Sequence, residues 1–203
     1  MSDEVTSNRE RVYRKRKRAE QELATRERIT EAAVSLHQTL GPARTTVKAI
    51  AELAGVQRGT VYRHFADAAT LFEACSTSYS TRHPAPDAAA WAAIAAPDAR
   101  LRRALSELYA WYSEVEPMLS KVIRDIEELP PVMQQELAAD FLAMGEVLLA
   151  GRPQRGRART RVSAAIAHAI EFPTWHSLTR AHGVRDNEAL RLMVAMVEAA
   201  GSS

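Results

Sequence analysis

The stretch Thr45–Phe65, which reads TTVKAIAELAGVQRGTVYRHF, decides the fold. Apolar residues at positions i, i+3, i+4 and i+7 give its first half one helical face: Val47, Ile50, Ala51 and Ala54. Thr46 precedes that face as an N-cap, and Gly55 suits a sharp turn after it because glycine tolerates a positive φ. Val61 and Phe65, four residues apart, give a second short helix an inward face. The stretch therefore predicts a helix-turn-helix.

The outward face of the second helix combines hydroxyls, an amide and cations. Its members are Gln57, Arg58, Thr60, Tyr62, Arg63 and His64. Such groups suit contacts to the phosphates and base edges of DNA. The pattern favours DNA binding over its alternative, an ordinary helical hairpin with a polar face.

The same stretch resembles the DNA-binding domain of the TetR family of bacterial transcriptional regulators, whose signature runs roughly T-x-x-x-I-A-x-x-A-G-V-x-x-G-T-x-Y-x-H-F. The matching residues are Thr46, Ile50, Ala51, Ala54, Gly55, Val56, Gly59, Thr60, Tyr62, His64 and Phe65. The segment RERITEAAVSLHQTLG, from Arg26 to Gly41, is similar to the family's first helix. The resemblance implies an all-α protein with an N-terminal three-helix helix-turn-helix domain and a C-terminal helical domain for ligand binding and dimerisation.

The resemblance also implies roles for individual residues. It assigns three of them to DNA phosphates: Thr46, Tyr62 and His64. Five more are candidates for base edges or nearby phosphates: Lys48, Gln57, Arg58, Thr60 and Arg63. Arg58 is the candidate for a guanine, because its guanidinium can donate two hydrogen bonds to O6 and N7. Gly59 allows close approach to the DNA backbone.

Two positions depart from the family's pattern. Ala68 stands where many relatives have a lysine that touches a phosphate, so one usual contact to the DNA backbone is missing. His37 stands where relatives usually place a phenylalanine on the buried face of the first helix. We expect a partly buried histidine with a structural role there, rather than a pH sensor.

Composition narrows the class of protein. Of the 203 residues, 46% are hydrophobic and 26% are charged, which favours a globular chain. No run of about 18 apolar residues is present to span a bilayer, and the polar N-terminus does not resemble a signal peptide, so we expect a cytoplasmic protein without a membrane partner. Cys75 is the only cysteine, which leaves no internal disulfide and no cysteine-based zinc site. We expect neither a metal nor a cofactor.

Positive charge is concentrated at the N-terminal end. Residues 1–65 hold 13 Lys and Arg against 8 Asp and Glu, a net +5, whereas residues 66–203 hold 14 against 17, a net −3. Residues 1–19 contribute seven cations between Arg9 and Arg18, and they predict a basic flexible arm or a frayed helical extension. The sequence leaves open whether this arm lies along or enters a DNA groove or is only solvated.

Helical patterns continue to the end of the chain. They predict helices near residues 20–40, 68–79, 98–115, 118–129, 132–150, 158–181 and 186–200. Residues 151–159, GRPQRGRAR, predict a mobile surface loop, and Pro173 predicts a kink in the helix around it. We expect an arm at 1–19, a DNA-binding domain at 20–66 and a body at 67–203, with the helix at 68–79 as the link.

The body is larger than a dimer clamp requires, and relatives use it to bind a small effector. Nine residues are our candidates for that site: Tyr109, Trp111, Tyr112, Met118, Phe141, Met144, His168, Phe172 and Trp175. The resemblance also implies a homodimer through the last two helices. Such a dimer would place two DNA-reading helices roughly 34 to 36 Å apart, about one DNA turn, on a palindromic site.

We therefore expect a ligand-responsive DNA-binding transcriptional regulator, with repression more frequent in the family than activation. An unidentified small-molecule effector would release it from a palindromic double-stranded operator by shifting the population of its conformations. A ligand-independent regulator or an activator is the alternative. An enzyme is a further one, although no Ser-His-Asp elbow, phosphate-binding glycine loop, HExxH or dinucleotide motif occurs.

Overall fold

The computed structural model describes the backbone of residues 2–202 and the side chains of residues 11–202. Over residues 2–202 the chain is helical and contains no strand, so the predicted all-α class is confirmed. The helices are α1 (Ser2–Thr39), α2 (Val47–Ala54), α3 (Arg58–His64), α4 (Ala68–Arg82), α5 (Ala88–Ala92), α6 (Pro97–Arg124), α7 (Pro131–Leu149), α8 (Gly156–Ile170), α9 (Phe172–His176) and α10 (Asp186–Ser202). In this described part, every helix is too short or too polar to cross a membrane.

The chain divides into two compact units, one ending at Arg82 and the other beginning at His83. The sequence placed the boundary after residue 66 and gave the next helix a linking role. In the structure that helix, α4, belongs to the first unit because it packs against α1. Cys75 of α4 is buried there, with its Sγ 3.8 Å from the carbonyl oxygen of Thr30. Burial raises the pKa of the Cys75 thiol to about 12, so the thiol stays protonated.

Helix α1 begins well before residue 20, where the sequence predicted its start. Residues 2–19 are its first turns, which is the helical form of the predicted basic arm; residue 1 lies outside the described residues. The side chains of residues 11–20 are exposed, so burial does not hold this part in a helix. Arginine and lysine are good helix formers, and residues 11–19 contain no glycine or proline to interrupt them.

The first unit is built around the second half of α1. Ile29 and Ala33 are fully buried on its inner face, and α2 and α4 pack against it. The short helices contribute their own buried residues to the same core: Ile50, Ala51, Ala54, Val61 and Phe65. The helix-turn-helix is thus packed against α1 through α2.

The second unit is built around α6, whose 28 residues bury one face along most of its length. α8 and α10 pack on each other and on α6. The shared core includes Leu101, Leu105, Leu108, Tyr109, Tyr112, Val162, Ile166, Trp175, Val194 and Val197. The apolar faces of α8 and α10 thus point into this core.

Pro117 does not end α6, contrary to the prediction that a helix stops near residue 116. The helix continues through it to Arg124. A proline inside a helix costs about 3 kcal/mol because it removes one backbone hydrogen bond and crowds the preceding turn. Val115 and Met118 on either side are buried, and burying such side chains contributes roughly 1.5 to 3 kcal/mol each. Tertiary packing therefore outweighs the local signal.

Residues 151–159 are not the mobile loop that their glycine and arginine content predicts. Arg152 is only 7% exposed, and its guanidinium donates to the Asp98 carboxylate at 3.0 Å and to the Pro97 carbonyl at 3.3 Å. Its Nε also donates to the Leu148 carbonyl at 3.2 Å. These bonds fix the turn after α7, and α8 has already begun by residue 156.

The helix predicted at 158–181 is divided in the structure. α8 ends at Ile170, Glu171 is extended with φ −72° and ψ 134°, and α9 begins at Phe172. Pro173 thus stands in the first turn of α9, where its missing N–H costs nothing, and does not kink a helix interior. A π-helical turn over Ser177–Ala181 then continues the segment.

His37 is buried on the inner face of α1, with its ring centroid 5.4 Å from that of Phe72. Burial lowers the pKa of His37 to about 4, because the charged ring would lose its contact with water. The imidazole therefore occupies this position as a neutral aromatic ring.

We predict that His37→Phe flattens the pH dependence of the unfolding free energy. The unfolded chain protonates His37 near pH 6.5, whereas the folded unit resists protonation to about pH 4. Stability from this group is therefore fully present above about pH 6.5 and is lost as the pH falls toward 4, by on the order of 3 kcal/mol in total. Urea unfolding at several pH values between these limits, followed by circular dichroism, measures it. The same pH dependence in both proteins would contradict the assignment.

Candidate nucleic-acid interface

The turn between α2 and α3 has the geometry that its sequence predicts. The Oγ1 of Thr46 accepts a hydrogen bond from the Ala49 N–H at 3.1 Å and so caps the start of α2. Gly55 ends α2 in the left-handed conformation, with φ 64° and ψ 41°. The Val56 N–H then bonds to the Ala51 carbonyl at 2.9 Å, which closes the helix end. These local bonds set the angle at which α3 leaves α2.

Helix α3 presents most of its polar side chains to solvent. Val61 and Phe65, 1% and 2% exposed, hold its inner face against the unit's core. Five of the predicted DNA-contacting residues around α3 are exposed: Gln57, Arg58, Gly59, Tyr62 and Arg63. Thr60 and His64 are half-buried at the edges of that surface. The side chain of Tyr62 is prominent, because it is large and aromatic yet 53% exposed.

The start of α2 adds two further predicted residues to the surface. Thr46 is exposed although its hydroxyl oxygen serves as the cap, and the hydroxyl keeps its own proton to donate. Lys48 is exposed and lies 3.8 Å from the Glu52 carboxylate one turn later. A surface pair of this kind is weak, so Lys48 can exchange that partner for a phosphate at little cost.

Gly59 has no structural need to be glycine. A Cβ built at this position would meet no protein atom within 4 Å, and the backbone φ of Gly59 is not positive. The fold itself would therefore accept a side chain at this position.

Arg26 is a residue of this site that sequence reasoning did not single out. Its Nη1 donates to the His64 carbonyl at 2.6 Å, and its guanidinium carbon lies 4.1 Å from the centroid of the Phe65 ring. The cation thus closes the C-terminal end of α3, where it also meets the negative end of the helix dipole. Its position three residues before the buried Ile29, on the same face of α1, was the available signal.

The aromatic residues proposed for an effector site form a packed cluster in the second unit. Tyr112 lies at its centre, with ring centroids 5.4 Å from Phe172 and 5.8 Å from Trp175. Tyr109 is also fully buried, 6.3 Å from Tyr112. Burial raises the pKa of both tyrosines well above its usual range, so both hydroxyls stay protonated.

The polar groups of this cluster bond to the protein itself. Tyr109 donates to the Ala169 carbonyl at 2.8 Å, and Tyr112 donates to the Ile170 carbonyl. The indole N–H of Trp175 donates to the Asp186 carboxylate at 2.9 Å. These donors fix the end of α8 and the start of α10 to α6 and α9.

The remaining members of the predicted effector set are more dispersed. Met118 is buried, whereas Trp111, Phe141 and Met144 are half-buried at the border of the core. His168 points to the surface, and its Nδ1 lies 3.1 Å from the Thr174 hydroxyl. Two clefts of this unit are lined by other side chains, one around Arg100 and Glu146 and one at the turn that carries Arg152.

Comparison with known proteins relates part of the first unit to a family. Residues 29–75, which run from the last turns of α1 into α4, match the profile described as bacterial regulatory proteins, tetR family. This part of the chain is similar to the DNA-binding domain of the TetR family. The HTH-type transcriptional regulator TtgR of Pseudomonas putida is 44% identical over 68 residues, which cover 34% of this chain and 32% of TtgR. The matched region thus spans about a third of the length of that relative.

Solved TetR-family structures extend the likeness to the second unit. A TetR-like regulator from Rhodococcus sp. RHA1 aligns with 86% of this chain and 93% of its own, with a TM-score of 0.62 and 18% identity. PfmR of Thermus thermophilus aligns with 85% of this chain and 96% of its own, with a TM-score of 0.58 and 18% identity. At such identities the likeness is one of fold.

We predict that Arg26→Ala destabilises the first unit by about 1 to 2 kcal/mol, because it removes both a hydrogen bond and a cation–π contact. Arg28→Ala is the matched control, since Arg28 is an exposed arginine two residues away on the same helix. Urea unfolding of the two variants measures the difference. If both variants lose the same stability, Arg26 does not hold α3 in place.

We predict different effects of Arg58 and Tyr62 on DNA binding by this chain. Arg58→Ala should cost about 1 to 3 kcal/mol and relax the base preference at one position, because bidentate contacts to guanine discriminate between bases. Tyr62→Phe should weaken binding to all sequences alike, because a phosphate contact carries no sequence information. Binding to a set of single-base operator variants tests both. An unchanged base preference in Arg58→Ala would rule out its assignment to a base.

Proposed function

We propose that this chain is a ligand-responsive transcriptional repressor, which binds a palindromic operator as a homodimer and leaves it when a small effector binds. The observation that carries the proposal is the exposed polar face of α3, held outward by two buried residues and a glycine turn. A helix presented in this way fits the major groove of B-DNA, which is wide enough to admit it.

The residues of this surface divide the work of binding. Thr46, Tyr62 and His64 contact phosphates and fix the position of the protein on the duplex. The candidates for base edges or adjacent phosphates are Lys48, Gln57, Arg58, Thr60 and Arg63. Gly59 lets the backbone of α3 approach the DNA, and the open space around its Cα supports this role.

Dimerisation is assigned to the outer faces of α8 and α10. Their inner faces are occupied by the core of the unit, whereas Ala164 and Ala167 of α8 and Leu192 and Ala195 of α10 remain exposed. Leu192 is 50% exposed, and the three alanines permit close approach of a second pair of helices. A twofold dimer formed this way would give each operator half-site its own α3.

The effector is assigned to the aromatic cluster of the second unit. A ligand that enters between α6 and α9 would have to displace the bonds of Tyr112 and Trp175 to the ends of α8 and α10. Because α8 and α10 form the dimer interface in this proposal, the displacement would change the spacing of the two α3 helices. DNA affinity would then fall.

A second candidate function is a regulator that does not respond to a ligand. The close packing of Tyr109, Tyr112, Phe172 and Trp175, with their polar groups bonded to the protein, favours it. In that case the second unit acts as a constitutive dimer scaffold. A small molecule that raises the melting temperature of the protein and releases it from DNA would support the ligand-responsive repressor.

We predict that the purified chain selects a palindrome from a random DNA library at physiological salt. Half-site centres should lie about 10 base pairs or a multiple of that apart, as a twofold dimer requires. The selected duplex then serves as the probe for effectors, which are detected by its release. If no sequence is selected and the affinity depends on the salt concentration but not on the DNA sequence, the proposed function is overturned.

A further inference from the structure

The N-terminal extension of α1 carries a dense positive charge that the helix-turn-helix does not account for. Residues 11–19, RVYRKRKRA, contain six cations and no carboxylate, and their side chains are exposed on a continuous helix. The family match begins only at residue 29, so this extension lies outside the part of the chain that it covers.

Four of the six cations share one face of the helix. Their positions i, i+3, i+4 and i+7 define what we call the basic stripe: Arg11, Arg14, Lys15 and Arg18. The same helical phase, continued along α1, leads through Arg26 to the buried Ile29 and Ala33. The stripe therefore prolongs the face of α1 on which the DNA-binding unit is built.

Arg26 connects this face directly to α3. Its guanidinium donates to the carbonyl of His64, the last residue of α3. Arg18, the nearest residue of the stripe, lies eight residues before Arg26 along α1. At 1.5 Å per residue the stripe extends from about 12 to about 22 Å beyond that contact. Half a turn of B-DNA is about 17 Å, which lies within the range of distances that the stripe covers. The stripe is therefore long enough to contact the edge of the next groove.

We infer that the basic stripe of α1 binds the phosphates that flank the major-groove site of α3. The inference rests on the proposed DNA-binding function. A helix is about 10 to 12 Å wide with its side chains, whereas the minor groove is about 6 Å wide. The extension therefore lies across the groove on its two phosphate edges and does not enter it to read bases.

The ion pairs of the extension do not prevent this binding. Arg18 lies 3.1 Å from Glu22 and Arg16 lies 2.9 Å from Glu20, and the arginine side chains are 82% and 79% exposed. Such exposed pairs contribute little and are screened by salt. A phosphate that releases a condensed counterion is the stronger partner. The stripe thus adds affinity and salt dependence, without sequence preference.

The test compares two double variants that are matched in composition. Lys15→Ala with Arg18→Ala removes two stripe cations, and Arg16→Ala with Lys17→Ala removes two cations from other faces of the same turns. Each variant loses one lysine, one arginine and one i,i+4 ion pair. Alanine is the best helix former, so both variants keep the helix, which circular dichroism verifies.

Binding is measured by fluorescence anisotropy, on the library-selected duplex and on a mixed-sequence duplex of equal length, from about 50 to about 200 mM salt. The stripe variant should lower the slope of log K against log salt by about 1.8 on both duplexes, and the off-face variant by less than half of that.

Equal changes in the two variants, or a stripe effect confined to the selected duplex, would overturn the inference. Its failure is distinct from failure of the proposed function. If the wild-type chain selects no sequence, the proposed function fails, while the comparison on mixed-sequence DNA still decides whether the stripe binds phosphates.

Discussion

The burial of Val61 and Phe65 in the core of the first unit is the constraint on which the proposed DNA-binding surface depends. Helix α3 has seven residues, and isolated helices shorter than about 12 to 15 residues are marginal in water. Its helical form must therefore come from packing. Val61 and Phe65 supply that packing on the buried side of α3. At the C-terminal end of α3, Arg26 donates to the His64 carbonyl and lies over the Phe65 ring. Because Val61 and Phe65 face the core, the polar side chains of α3 face solvent.

Local chemistry explains which parts of the fold the sequence could predict. Gly55 and the Thr46 cap determine their turn with bonds between near neighbours, so the helix-turn-helix follows from the sequence. Long-range contacts determine the parts that the sequence missed. Pro117 stays inside α6 because its neighbours are buried, and Arg152 fixes a glycine-rich turn through Asp98, more than fifty residues away in the chain.

The predicted effector site shows a different limit of sequence reasoning. Large aromatic side chains predict a core and a ligand cavity equally well, because both need apolar surface. Here Tyr112, Phe172 and Trp175 touch one another, and the hydroxyl of Tyr112 and the indole of Trp175 bond to the protein. His168, one of the nine residues predicted to line the site, lies at the surface. Residue type predicts neither the hydrogen bonds of the aromatic cluster nor the exposure of His168, because both depend on where α8 ends.

The central claim is that α3 reads the major groove of two half-sites on one face of the duplex. Substitution of 7-deazapurines along the selected operator tests it most directly, because the purine N7 is exposed only in the major groove. The account predicts two clusters of sensitive purines whose centres lie about 10 base pairs, or a multiple of that, apart. Binding that is indifferent to loss of N7, or that responds instead to removal of the guanine N2 amino group in the minor groove, would contradict it.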